Sequence, residues 1–473
     1  MTQICGADSN WGGRAFIDGY DLNVDPPERL WRTFLSPPSE GDPEWALHHC
    51  DKGWFFSYPE WKENGRLGIP CSEVPRENLI NDWGVPKHYN SAVGLLWGQM
   101  ALDQETGIVY FGTGNQGGWV NNTYAIGPNL FASSIVALNA TSGEIIWWYQ
   151  TVPRDMVQAD TAWNTVLTEL TINGEKKKAI IKYSVTGLLW ALDAATGEPL
   201  WIYESDLLES RIGEDGIPRG RSSGHPCIGC DPKTQDGYWN NVLSHYDMQE
   251  KKWLNYPSKD WFYIIPLRAG EADIAYNEKE DIIILPLSLG WDASAKAGNH
   301  KGIGMPPGEY NLNYPKQKQN TTILGLDANT GEEIWSYFID GVAYRGGIIA
   351  TEDLAIIPAA DGNLYILNGL TGELLHKIFL NTPLTTQPTI GKNSDGEFQI
   401  YVINGGRGRQ EVGGLAHNQI PGSVIALGLS EQIENIVKEE AEEMESEVST
   451  STFLGIIIII MVIIPVILLL KRK

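Results

Sequence analysis

Cysteine, asparagine and carboxylate side chains are where this chain has chemistry to offer, and their spacing limits what that chemistry can be. Cys227-Ile228-Gly229-Cys230 is a Cys-x-x-Cys, but Asp231 follows, so the pair does not read as a haem-attachment signature. No second such pair accompanies it, which leaves a zinc site weakly supported. Cys50 and Cys71 could pair around a loop; for the five cysteines a loop disulfide, or no bond, is the default. Three Asn-x-Thr triplets, at Asn121, Asn139 and Asn320, would be glycan acceptors outside a cell, and such triplets also arise by chance. Glu434, Glu439, Glu440, Glu442, Glu443, Glu445 and Glu447 cluster near the C-terminus, where a solvated acidic stalk is a better reading than a metal-binding tract.

A repeated phrase supplies the elements around these groups. Ala137-Leu138-Asn139-Ala140-Thr141-Ser142-Gly143-Glu144-Ile145-Ile146-Trp147 returns as Ala191-Leu192-Asp193 through Thr196-Gly197 to Trp201, and again as Gly325-Leu326-Asp327 through Thr330-Gly331 to Trp335. Ile366 to His376 repeats it with His in the Trp place, and Gly19 to Trp31 is a version with a differently built turn. An apolar run, an Asx-x-x-Thr/Ser-Gly turn and a second strand make a β-hairpin. The terminal Trp can pack flat on the next hairpin. Ser423-Val424-Ile425-Ala426-Leu427 reads as a closing strand without its partner. Repeated hairpins with aromatic docking predict an all-β fold, a β-propeller seen as an incomplete ring of about five to six blades. Two packed sheets with coincidental turns are the alternative; they would leave Trp147, Trp201 and Trp335 exposed rather than buried between sheets.

Composition agrees and excludes some functions. The chain has 473 residues with 51 glycines and 18 tryptophans, in keeping with many turns and much aromatic docking. A net charge of −24 argues against a nucleic-acid partner, which needs a basic surface. Residues 1–430 are expected to form the propeller domain, with a long Pro/Trp-rich insertion from Ser36 to Asn90 that lacks strand pattern. Residues 431–452 are expected to form the acidic stalk. Phe453 to Leu470 is apolar and uncharged; at ~1.5 Å per residue it spans about 27 Å as a helix, near the ~30 Å hydrocarbon core. Lys471-Arg472-Lys473 would then be the cytoplasmic end of a single-pass membrane protein whose propeller is extracellular or periplasmic. Residues 1 to 10 contain no signal peptide. A tail-anchored cytosolic propeller is one reading of this; an N-terminus lacking its signal and early blades is the other, favoured by the unpartnered closing strand.

Trp97-Gly98, Gly112-Thr113-Gly114-Asn115 and the Ala-Leu-Asp-x-x-Thr-Gly-x-x-x-Trp hairpins give the chain a resemblance to the quinoprotein alcohol dehydrogenases, from about Cys5 to Glu431. That family consists of eight-bladed propellers carrying pyrroloquinoline quinone (PQQ) and a calcium or lanthanide ion, so about two N-terminal blades would lie outside this chain. By that resemblance Trp97 is the floor on which the quinone stacks, and Asn115 an amide-oxygen ligand of the metal. The family's metal-binding glutamate falls at Asn10, which keeps an oxygen but loses the charge. Its catalytic aspartate falls at Gln158, which accepts no proton at neutral pH. Asp160 lies two residues on, on the same side of an extended segment and about 6.5 Å away. Asp160 is therefore a candidate for both base and metal carboxylate. The family's basic quinone contact falls at Val185, and the aromatic before Gly346-Gly347 falls at Arg345.

The resemblance implies a membrane-anchored PQQ-dependent enzyme that oxidises an alcohol to an aldehyde and passes electrons to an unidentified acceptor. The alternative is a non-catalytic propeller serving as a binding or assembly scaffold at the cell surface, which the substitutions at Gln158 and Val185 would suit.

Overall fold

The computed structural model describes residues 2–4, 14–38, 40–84, 96–115, 127–155, 159–208, 270–289, 320–342, 344–407 and 419–428, with short segments inside 227–265 and at 293–296 and 310–311. Asn10, Gln158, Asn121, Cys230, the 431–452 stalk, the 453–470 apolar run and the basic end lie outside the described residues. Among the described residues no helix is long and apolar enough to cross a membrane.

The described chain is mostly strand, and it falls into two compact units. The first unit comprises residues 1–270 and 291–317, and the second residues 271–290 and 318–473. In the first, Thr2–Ile4, Phe16–Asp21 and Glu28–Phe34 form a three-stranded antiparallel sheet. Thr165–Ile172, Glu175–Tyr183, Leu189–Asp193 and Pro199–Tyr203 form a four-stranded meander. Between these in sequence, Ala101–Asp103, Ile108–Gly112, Ser134–Asn139 and Ile145–Gln150 form another. The second unit holds two four-stranded sheets and the three-stranded sheet of Thr389–Lys392, Phe398–Arg407 and Gln419–Leu427.

In the meanders of 101–150, 165–203, 275–340 and 349–379 the repeated phrase supplies the last two strands. Its chemistry is visible in each turn. The oxygen of Asn139 accepts the backbone N–H groups of Thr141 (2.8 Å) and Ser142 (3.0 Å), and Asp193, Asp327 and Asn368 do the same two and three residues on. Gly143, Gly197, Gly331 and Gly372 all take φ between 71° and 77°, the left-handed region that glycine enters without strain.

The aromatic ends of the phrases dock onward. The Trp31 indole N–H donates to the Ala140 carbonyl (3.2 Å), Trp147 to Ala194 (2.8 Å) and Trp335 to Gly369 (3.1 Å). In each case the receiving turn belongs to the next phrase in its unit, and a Cβ placed on its glycine would come within 2.6 Å of the indole. Trp147, Trp201 and Trp335 are 2%, 8% and 7% exposed, as blade-to-blade docking requires. Across each strand pair the Trp faces Gly19, Ala137, Ala191 or Gly325, small residues that let the ring lie flat.

Both faces of a meander are buried in consequence. Along Ile145–Gln150 the side chains alternate: Trp147 and Tyr149 enter one apolar cluster with Tyr110 and Trp190, while Trp148 enters another with Phe55, Phe111 and Phe131.

The 36–90 insertion departs from the expectation of patternless surface. Gly53–Phe55 runs parallel to Ile145–Gln150, and Ile69–Pro70 pairs with it, so the middle sheet has six strands. These strands are three and two residues long, too short to show alternation. Short helices at Trp45–His48 and Tyr58–Asn64 flank them, and a Cys50–Cys71 disulfide closes the insertion on itself.

Candidate active site

The Gly112–Asn115 stretch lies at the end of strand Ile108–Gly112, and its backbone is held from both sides. Thr113 N–H donates to the Ser134 carbonyl (2.8 Å), and the Thr113 carbonyl accepts Thr161 N–H (3.0 Å). The Thr113 hydroxyl, fully buried, donates to the Phe131 carbonyl at 2.6 Å. Asn115 is only 6% exposed, and its backbone N–H donates to Asp160 Oδ1 at 2.6 Å. The Asp160 carbonyl accepts the N–H of Val185 (3.0 Å).

Both glycines of this stretch are explained by close approach rather than by turn geometry. A Cβ on Gly114 would sit 2.9 Å from the Trp97 ring and 3.0 Å from Asp160 Oδ1. A Cβ on Gly112 would sit 1.7 Å from the Thr161 carbonyl oxygen and 2.4 Å from Lys182 Cε. Gly98 is pressed against the Ala162–Trp163 backbone in the same way, which places Trp97 on that segment. The Trp97 ring meets Trp163 edge-on, with centroids 5.8 Å apart, and remains 42% exposed.

Trp97, Asn115 and Asp160 are thus brought together around Gly114, while Asn10 and Gln158 are among the positions outside the described residues. Val185 is buried and reaches Asp160 through its backbone. Arg345 pairs with Glu271 at 2.6 Å in the second unit. Among the described residues no group of three or more His, Cys, Asp or Glu side chains is disposed to hold a metal ion.

Two buried charges beside the site carry no motif. Lys182 is fully buried in strand Glu175–Tyr183; its ammonium donates to the carbonyls of Trp163 and Asn164 (the latter at 3.1 Å) and to the Thr165 hydroxyl (3.1 Å). The signal for it is a cation inside the apolar run Ala179 to Tyr183. Asp155 accepts the Ser133 hydroxyl and the Ala159 N–H, both at 2.7 Å, and so ties Ala159 to Ser133, the residue before the strand that supports Thr113.

Farther back, Asp82 anchors the loop that carries Phe131. Its carboxylate accepts the N–H groups of Asn129 and Leu130 (the latter at 2.9 Å). Burial pushes this carboxyl up to about 7, partly opposed by the two backbone donors.

Residues 73–219 match the family model of the PQQ beta-propeller domain of glucose/ethanol/alcohol dehydrogenases. The quinohemoprotein alcohol dehydrogenase ADH-IIG of Pseudomonas putida is 39% identical over 194 residues, 41% of this chain and 23% of its own. That of Comamonas testosteroni is 24% identical over 433 residues, 89% of this chain and 54% of its own length. Its solved structure matches with a TM-score of 0.59 over 88% of this chain and 57% of that one. A europium-containing methanol dehydrogenase matches with a TM-score of 0.56 at 17% identity, over 90% of this chain and 71% of that one. The chain spans about half or less of the length of the curated relatives it matches. Its fold is therefore of the propeller type, and in sequence it resembles the PQQ-dependent alcohol dehydrogenase family, whose propeller-domain model residues 73–219 match.

Proposed function

We propose that this protein is a PQQ-dependent alcohol dehydrogenase of the membrane-anchored kind, oxidising an alcohol to an aldehyde. The observation that carries the reading is the Asp160 carboxylate seated on the Asn115 N–H beside the half-exposed Trp97 ring. An open aromatic face suits a planar quinone, and a carboxylate held by the backbone of an asparagine offers oxygen donors that suit a hard cation such as calcium or a lanthanide. When bound, the quinone supplies the two-electron acceptor and the cation polarises its reacting carbonyl. Trp97 would provide the floor, and Asn115 and Asp160 the protein oxygens of the cation site, with Asn10 a further candidate. Asp160, held by backbone hydrogen bonds on both its carboxylate and its carbonyl, would take the hydroxyl proton of the alcohol on a carboxylate oxygen while the carbinol hydride leaves for the acceptor.

The Cys50–Cys71 disulfide supports an oxidising location, hence a propeller outside the cytoplasm, anchored by 453–470 with 471–473 inside. Protease added to intact cells should then release the propeller; resistance until lysis would sink this topology.

A scaffold without cofactor is the second reading. Two features favour it: one Asp160 oxygen already serves a backbone donor, and Val185 brings no charge to the site. Reconstitution of the full chain with PQQ and calcium or a lanthanide, followed by quinone absorbance and dye-linked alcohol oxidation, separates the two. Trp97→Ala should lose quinone uptake, and Asp160→Ala should lose turnover. No uptake by the unmodified protein with any of these ions leaves the scaffold.

A further inference from the structure

We propose that Asn139 is an N-glycosylation site of this protein, and that the Asn320 triplet is not one. Both asparagines stand at the end of a paired strand, and the two triplets differ in how open their hydroxyl residue is. Asn139 ends strand Ser134–Asn139, where it is paired with Ile108, and opens the hairpin turn to Ile145–Gln150, at one end of two inner strands of its six-stranded sheet. Its side-chain oxygen is engaged with the N–H groups of Thr141 and Ser142, which turns its amide nitrogen away from the backbone; that nitrogen makes no hydrogen bond among the described residues. Thr141, whose hydroxyl completes the acceptor triplet, is exposed. The turn's own packing contacts leave through other atoms: Trp31 takes the Ala140 carbonyl and covers Gly143. A sugar on the Asn139 nitrogen therefore displaces nothing that holds the blade.

Asn320 opens strand Asn320–Asp327, paired with Leu289 on one side and Asp340 on the other. Its side-chain oxygen is buried, and Thr321 and Thr322 are buried with it. The Thr322 hydroxyl that would complete this triplet is out of a transferase's reach, whereas Thr141 is open to it.

The modification requires an oligosaccharide carried on a polyprenyl phosphate and the transferase that uses it. The Asn139 Nδ2 forms a bond to the anomeric carbon, the bond from that carbon to the phosphate oxygen breaks, the lipid phosphate leaves, and Nδ2 loses one proton. The inference rests on the propeller being outside the cytoplasm, which protease treatment of intact cells reads separately.

The test is peptide mass spectrometry of the protein purified from its native cells, with the Cys50–Cys71 bond assayed in the same sample. The expected result is a saccharide mass on the peptide holding Asn139 and none on that holding Asn320. Asn139→Asp should abolish the modification while keeping the turn acceptor, so the unfolding midpoint of the unglycosylated chain should not move. Thr141→Ala should abolish it too, with the turn intact. An unmodified Asn139 peptide, or a saccharide on Asn320 alone, overturns the proposal, and accessible protease sites in the same cells would show that the failure lies in the site and not in the topology.

Discussion

Trp147 donates its indole N–H to the carbonyl of Ala194, 2.8 Å away, in the turn of the following repeat. The ring lies over Gly197, where a Cβ would come within 2.5 Å of it. Trp147→Ala should therefore destabilise the chain by roughly 3–5 kcal/mol, the scale of emptying a buried aromatic site. Gly197→Ala should cost at least about 1 kcal/mol from the other partner, because φ is 71° and the methyl meets the indole. Urea unfolding of the two single variants and the double variant would show the coupling, since the double should cost less than the sum.

Asp82 and His49 predict opposing pH dependences. Asp82 has its carboxyl pushed from 3.8 up to about 7 by burial. Its contribution to stability is fully present below pH 4 and is lost as pH rises through 7, worth up to about 4 kcal/mol. His49, packed between Trp45 and Phe131, is pushed from 6.5 down to about 4, chiefly by burial and then by His48 and Lys52. Its contribution is present above pH 6.5 and is lost as pH falls through 4, worth up to about 3 kcal/mol. The two largely cancel between pH 4 and 6.5. Denaturation midpoints across that window should rise with pH in Asp82→Asn and fall with pH in His49→Gln, whereas the unmodified chain stays nearly flat. Parallel profiles in all three would refute both assignments.

Lys182→Met keeps the length of a buried side chain and deletes its donors. The carbonyls of Trp163 and Asn164 would lose their partner, at a cost of about 1–3 kcal/mol. Because Trp163 meets Trp97 edge-on, near-ultraviolet circular dichroism should change as well. A full-strength spectrum with unchanged melting would mean that Lys182 does not position that pair.

Asp160→Asn separates scaffolding from charge. An amide oxygen can still accept the Asn115 N–H, so the loss of stability should stay under about 1 kcal/mol, against about 1–2 kcal/mol for Asp160→Ala. Terbium luminescence titrated in the presence of PQQ should show affinity falling by about tenfold or more in both variants, since each removes the carboxylate charge. Equal terbium affinity in Asp160→Asn and the unmodified protein would take Asp160 out of any cation site.

The repeated phrase made the fold legible, because Asn or Asp, Gly and Trp each leave a local signature of turn or docking. It also pointed to the next hairpin as the receiver of each Trp; what it could not give was the atom received, a backbone carbonyl of that hairpin's turn, as from Trp147 to Ala194. Gly112 and Gly114 stood in the sequence only as letters of a motif and prove to be gaps for Lys182, Thr161, Trp97 and Asp160, which only the three-dimensional approach reveals. Trp97, Asn115 and Asp160 stood out through the resemblance, whereas Lys182 and Asp82 belong to no motif. Their burial is set by distant elements that no local pattern encodes. The strands of the 36–90 insertion escaped notice for a simpler reason, being too short for any period to show.

The docking contact also bears on how such a chain can change over generations. Trp31, Trp147 and Trp335 each address a carbonyl oxygen and the bare backbone of a glycine, never the side chain of the residue that carries the carbonyl. The plug and socket are thus the same at these three junctions and blind to the side chains between them. Ala195-Thr196 stands where Thr141-Ser142, Asn329-Thr330 and Leu370-Thr371 stand in the sister turns. A repeat could be copied, or its exposed turn redecorated, without renegotiating its fit to its neighbour, so inheritance is free to experiment on the rim while the joints stay standard.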